Sequence, residues 1–186
     1  MMGARYTVLL GFVAMLGAAG WAQPQDNLGA VADFESRVKA YVTLRDSVEK
    51  GAAELDETAS PEEIIAAETA LAARIRAARA DAKRGDLFTL AMQAHVRRLL
   101  KPEMRGVRGS NTRGVIKDEG PGPKAFSFTV NSAYPKNQPQ GTMPANILKL
   151  LPPLPEGLEY RFVDTALVIR DTRANLIVDY MPDAMS

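Results

Sequence analysis

Residues 158–181 read LEYRFVDTALVIRDTRANLIVDYM, and this stretch decides the fold. Leu158, Tyr160 and Phe162 fall on one face, with Glu159 and Arg161 between them. That period of two is what a half-buried strand requires. Asp164-Thr165 supplies a tight turn, Ala166–Arg170 a second strand, Asp171–Asn175 a polar turn and Leu176–Met181 a third strand. Short strands joined by turns of this length predict an antiparallel β-meander. A hairpin alone is marginal in water, so the sheet is expected to borrow the short helix or the N-terminal helices to cover its face.

The segments before the meander are mixed. Ala125–Asn131 alternates through Phe126, Phe128 and Val130 and is expected to be a further strand. Tyr134-Pro135 to Gln140-Gly141 reads as a loop, and Pro144–Leu151 as one short helix with Ile147, Leu148 and Leu151 apolar. Pro152-Pro153-Leu154-Pro155 is extended, close to polyproline II.

Farther upstream the period changes to that of a helix. Val31, Phe34, Val38, Tyr41, Val48, Ala52 and Leu55 form an apolar stripe, with Arg45 as its one polar interruption. Ser60-Pro61-Glu62-Glu63 opens a second helix: Ser60 can cap, Pro61 suits the first helical position and Glu63 completes a capping box. Ile64, Leu71, Ile75 and Ala78 make its stripe, and Gly85 is expected to end it. A third helix starts near Asp86 or Thr89 and runs to Lys101, with Val96, Leu99 and Leu100 inward and Pro102 as its stop. Short connections favour an antiparallel helical hairpin.

Between the two parts, residues 105–124 carry five basic and two acidic residues, five glycines and two prolines. This composition is expected to be a flexible linker. The fold class is therefore α+β. The expected organisation is a leader over 1–22, a helical region over 23–104, the linker over 105–124 and a small β-rich module over 125–186.

The leader reading rests on Arg5, an apolar run from Thr7 to Ala19, and small residues Gly20 and Ala22 before Gln23. These are the parts of a secretory signal peptide, and the run is too short to span a bilayer. The expected location is therefore the periplasm or the extracellular space. Removing 1–22 takes away Arg5 and leaves 22 basic against 22 acidic residues. A balanced charge argues against nucleic acid as a partner. No cysteine means no thiolate metal site, no disulfide and no thiol nucleophile, and one histidine cannot build a multi-histidine centre.

The stretch Leu154–Val163, then Leu167–Asp171, then Ala174–Asp179 resembles the C-terminal end of a family of uncharacterised exported bacterial proteins. Ala72–Arg79 followed by Gly85–Thr89 is similar to their N-terminal half. The resemblance covers most of the chain after the leader, except the Gly-rich segment, and implies a shape and an exported address. A shorter likeness, about thirty residues of the Pro-rich lead-in and meander, is to the C-terminal module of periplasmic nickel/cobalt efflux regulators.

Three sets of residues invite a functional reading. Asp164, Asp171, Asp179 and Asp183 could serve a metal-dependent hydrolase, but their spacing of seven, eight and four is not that of an oxygen-ligand loop, and turn positions suit Asp by themselves. Arg76, Arg79, Lys83, Arg97 and Arg98, with Arg74, Arg84 and Lys101, could meet an anionic membrane surface or polymer. Dipole complementarity at helix ends explains the same charges. Arg161 could pair across strands with Asp171 or Asp179, and with Asn175 these form a candidate interaction surface. His95 stands beside Arg97 and Arg98, where a neutral ring is favoured. No phosphate loop, dinucleotide fingerprint, nucleophile elbow or metalloprotease helix is present. The sequence implies no cofactor and no metal. It points to a non-enzymatic exported protein whose partner is another envelope protein or polymer.

Overall fold

The computed structural model describes residues 24–50, 60–120 and 126–185 of the chain. The expected leader, the end of the first stripe (Ala52 and Leu55) and residues 121–124 of the expected linker lie outside them.

Helix α1 spans Pro24–Glu49 and buries Phe34, Val38 and Tyr41 at spacings of four and three. Arg45 is next on that stripe and is equally buried, with 3% of its surface exposed. Helix α2 spans Pro61–Ala78 and opens with the expected capping box. Glu63 N–H donates to Ser60 Oγ at 3.2 Å, and Ser60 N–H donates to Glu63 Oε2 at 2.7 Å. Leu71, Ala72 and Ile75 face inward. The helix stops at Ala78 rather than reaching Gly85; Arg79 caps it, and Gly85, at φ +93°, turns the chain toward the next helix. Helix α3 spans Leu90–Glu103, is capped by Thr89 and buries Met92, Val96 and Leu100. Pro102 lies in its last turn, and Met104 N–H still closes on Leu100 O at 3.1 Å.

The segment expected to be a flexible linker is largely a helix, α4, over Gly106–Glu119. Ile116 anchors it in the core and Thr112 is buried. Arg113 Nη1 donates to Met104 O at the end of α3. The glycines that suggest looseness include one of close approach, since a Cβ on Gly109 would stand 2.2 Å from the Met104 carbonyl carbon. The short helix is confined to α5, Ala145–Leu148, with Ile147 buried.

Strands β1 (Leu158–Val163), β2 (Ala166–Asp171) and β3 (Leu176–Met181) form the antiparallel meander in the order β1-β2-β3. Leu158 opposes Asp171 and Val163 opposes Ala166; β2 meets β3 from Leu167↔Met181 to Asp171↔Leu176, with a shift at Ile169/Arg170. Asp164 and Asn175 take left-handed turn conformations, φ +53° and +50°, which Asp and Asn tolerate better than most side chains.

The strand expected over Ala125–Asn131 is absent from residues 126–131. The chain instead reaches the β3 edge slightly later. Ala133 bridges Leu176, Asn131 N–H donates to Ile177 O, and Ile177 N–H donates to Ser132 O. The alternating aromatics pack rather than pair: Phe126 meets Tyr134 edge-on at 5.3 Å and Phe128 meets Tyr180 at 4.9 Å.

Both sheet faces are covered. Leu167, Ile169, Leu176, Val178 and Met181 share one core with Phe34, Ile75, Phe88, Met92 and Leu100, so helices and meander bury each other. On the outer face Val163, Val168 and Ile177 pack under Tyr134, Phe126, Phe128 and Tyr180. Strand β2 is consequently buried along its whole length. Among the described residues no helix is long and apolar enough to cross a membrane.

Candidate interaction surface

Asp171 ends β2 with no exposed surface. Its Oδ1 accepts from the backbone N–H of Arg173 at 2.8 Å and of Ala174 at 3.0 Å, which shapes the β2–β3 turn. Its Oδ2 accepts from the Tyr41 hydroxyl at 2.8 Å and lies 3.5 Å from Arg45 Nη1. Arg45 also reaches Glu156 O, and Gly157 makes room for it. Burial, then the Asp171 charge, pushes the Tyr41 hydroxyl far above its ordinary range, so it remains a donor. Around this centre Arg173 pairs with Glu49 of α1.

Asp179 on β3 is also fully buried. It accepts from the backbone N–H groups of Gly85 (2.9 Å), Leu87 (2.7 Å), Phe88 (2.8 Å) and Tyr180 (2.8 Å). Burial moves its carboxyl above the ordinary range, against the downward pull of these bonds. The carboxylate thereby seats the turn between α2 and α3 on the sheet. Arg79 extends the attachment: it donates to Asn131 Oδ1 at 2.8 Å and Val178 O at 3.2 Å, and lies 5.0 Å from the centre of the Tyr41 ring.

On the outer face, Arg161 does not pair with Asp171 or Asp179. It donates to Glu159 Oε2 at 2.7 Å on its own strand and to Gln140 O at 3.0 Å. Glu159 Oε1 accepts from Arg170 at 3.0 Å, and Arg170 grips Asn175 Oδ1 through Nε and Nη2 at 3.1 and 2.9 Å. Asn175 Nδ2 donates in turn to Tyr134 O at 2.9 Å. Burial raises the Glu159 carboxyl, but the Arg161 hydrogen bond and the Arg161 and Arg170 charges outweigh it and hold the group below the ordinary range.

Among the described residues the four acids of the hydrolase reading form no shared site. Both oxygens of Asp171 and of Asp179 are engaged by internal donors. Asp164 and Asp183 are exposed turn residues at φ +53° and +50°. Among the described residues no group of His, Asp and Glu side chains is placed to hold a metal ion. His95 is half-buried on α3; burial and the Arg98 charge keep its imidazole below the usual value. A cleft of about 460 Å³ lies between α3, α4 and α5, where Asn146 Nδ2 donates to Glu103 Oε2 at 2.7 Å.

The basic residues divide. Arg79 is structural, as above, and Arg97 donates to Pro182 O at 3.1 Å. Arg98 is exposed and takes part in interactions within the fold. Arg76, Lys83 and Arg84 are exposed at the end of α2 and the turn after it. The folded chain lays that segment along the β3 edge: Arg76 Nε donates to Asn131 O at 2.9 Å, and the Arg84 guanidinium stands 5.9 Å from the centre of the Tyr180 ring. Tyr180 touches Phe128, and both rings are half-buried. Cations and aromatics that are about fifty to a hundred positions apart in sequence thus share one surface.

Sequence reasoning singles out Asp171, Asp179, Asn175 and Arg161, and all four are organising groups of the meander. It passes over Arg170, Glu159 and Arg45. Arg45 carries a signal in hindsight, because a single charge on an apolar stripe implies a buried partner. Phe128 and Tyr180 join the basic set only through tertiary structure. No protein-family model, curated protein or solved structure matches this chain.

Proposed function

We propose that this chain is an exported, non-enzymatic envelope protein that works by binding another macromolecule. The observation that carries the reading is the division of charge. Asp171, Asp179, Arg45 and Arg170 are buried and engaged within the fold, whereas Arg76, Lys83 and Arg84 are exposed, with Arg84 beside the half-buried Tyr180 ring. A rigid body that presents cations and rings at one rim is suited to docking rather than turnover. Export is supported by the residue pattern of 1–22.

Two measurements test it. Mass spectrometry of the chain recovered from its native compartment should give Gln23 as the first residue; an intact Met1 in the cytoplasm contradicts export. The recovered chain should sediment saturably with the native envelope fraction, and Lys83→Glu/Arg84→Glu should release it. Sedimentation that neither saturates nor responds to the double substitution contradicts binding through this surface.

A further inference from the structure

Resting on that reading, we propose that the rim formed by Arg76, Lys83, Arg84, Phe128 and Tyr180 docks on the anionic surface of a phospholipid bilayer. Three observations favour a lipid surface. First, Arg76 sits at Asn131, Arg79 at Val178 and Arg84 at Tyr180, so the arginines of the segment step along the β3 edge in a row. Such a row suits a plane of headgroups. Second, the rings beside the row are half-buried, with Phe128 against Tyr180 at 4.9 Å and Phe126 behind them at 5.8 Å from Phe128. Aromatic bodies with a polar or cationic margin are the composition favoured at a membrane–water boundary. Third, the segment is well anchored. Asp179 holds Gly85, Leu87 and Phe88, and Arg79 holds Asn131 and Val178, so the cations are presented without ordering a loop on contact.

The acidic groups of the segment do not cancel the row. Residues 76–86 set four basic side chains (Arg76, Arg79, Lys83 and Arg84) against two acids, Asp81 and Asp86, and Asp179 is buried beneath them. The rim therefore carries net positive charge although the chain after the leader is neutral.

The test uses the exported chain with vesicles of mixed phosphatidylglycerol and phosphatidylcholine, and of phosphatidylcholine alone. Each cation near an anionic leaflet contributes about fivefold in partitioning, so Lys83→Glu/Arg84→Glu should weaken binding to the mixed vesicles at least about 25-fold. Raising salt from ~0.1 M to ~1 M should abolish it as the screening length falls from about 10 Å to about 3 Å. Phe128→Ser should weaken binding to the mixed vesicles at ~0.1 M salt, where the electrostatic attraction is intact. Both substitutions are exposed or half-exposed, and retained thermal unfolding confirms their fold. Equal binding to both vesicle types, no binding to the mixed vesicles, or indifference to salt or to the double substitution overturns the proposal. Envelope sedimentation that survives removal of lipid, with capture by a soluble acidic polymer such as polyglutamate, overturns the lipid assignment while leaving macromolecule binding intact.

Discussion

The Tyr41 hydroxyl donates to Asp171 Oδ2 at 2.8 Å across 130 positions of sequence. The bond joins the C-terminal half of α1 to the end of β2, and it is buried. Asp171 takes its other donors from the β2–β3 turn, so one carboxylate ties the turn geometry to the helix packing. Tyr41→Phe keeps the ring and removes the donor. The expected loss is about 1–3 kcal/mol, the cost of leaving a buried acceptor short of a partner. Urea unfolding should show a lower midpoint with unchanged slope.

Gly157 tests the same junction from the other side. Its φ of +81° is strained for any other residue, and an added Cβ would stand 2.7 Å from Arg45 Nη1. Gly157→Ala should cost about 1–3 kcal/mol, through backbone strain and displacement of Arg45. A neutral result would contradict both the backbone strain at this position and the close approach of Arg45.

How much of this was legible beforehand differs by element. The three strands were readable because alternation and short Asx turns act locally, and Asp164 and Asn175 occupy left-handed positions that suit them. The capping box at Ser60 and Glu63 was readable for the same reason. Helix α4 was not. Its glycines lower helix propensity, and its stability comes from Ile116 in the core and from Gly109 fitting against Met104, neither of which leaves a periodic signal. Residues 126–130 misled in the opposite sense: Phe126, Phe128 and Val130 alternate like a strand, but the rings were serving the outer face of a sheet built by other residues. The basic rim was half legible, since its cations are close in sequence while its rings are not.

Asp179 attaches the α2–α3 turn to β3 through the N–H groups of Gly85, Leu87 and Phe88. Asp179→Ala strands four backbone N–H groups, three of them in that turn. The expected loss is about 3 kcal/mol or more. Hydrogen exchange should show the greatest loss of protection at Gly85, Leu87 and Phe88. A loss spread evenly over the chain would contradict the local role.

Glu159 predicts an acid-side change. Its folded carboxyl titrates below the ordinary value of 4.5 because Arg161 and Arg170 favour the charged form over the opposing effect of burial. Its contribution is therefore complete above the unfolded value and is lost as pH falls through the folded one. The stability gap between wild type and Glu159→Gln should be widest near about pH 7 and shrink toward about pH 3. A gap that stays constant with pH would remove the ion-pair account.

The packing of α4 is testable without reference to function. Gly109→Ala should push α4 away from Met104, and Ile116→Ala should cost about 2–4 kcal/mol by opening a cavity. If residues 106–119 behaved as a loose tether, both variants would unfold like the wild type.

The most direct test of the proposed docking rim is a hydrogen-exchange footprint of residues 23–186 with and without an envelope fraction. The account predicts added protection over residues 76–86, with a second patch over 126–131 and at Tyr180, and little change along α4. Protection centred on the α3–α4–α5 cleft, or none at the β3 edge despite binding, would contradict it.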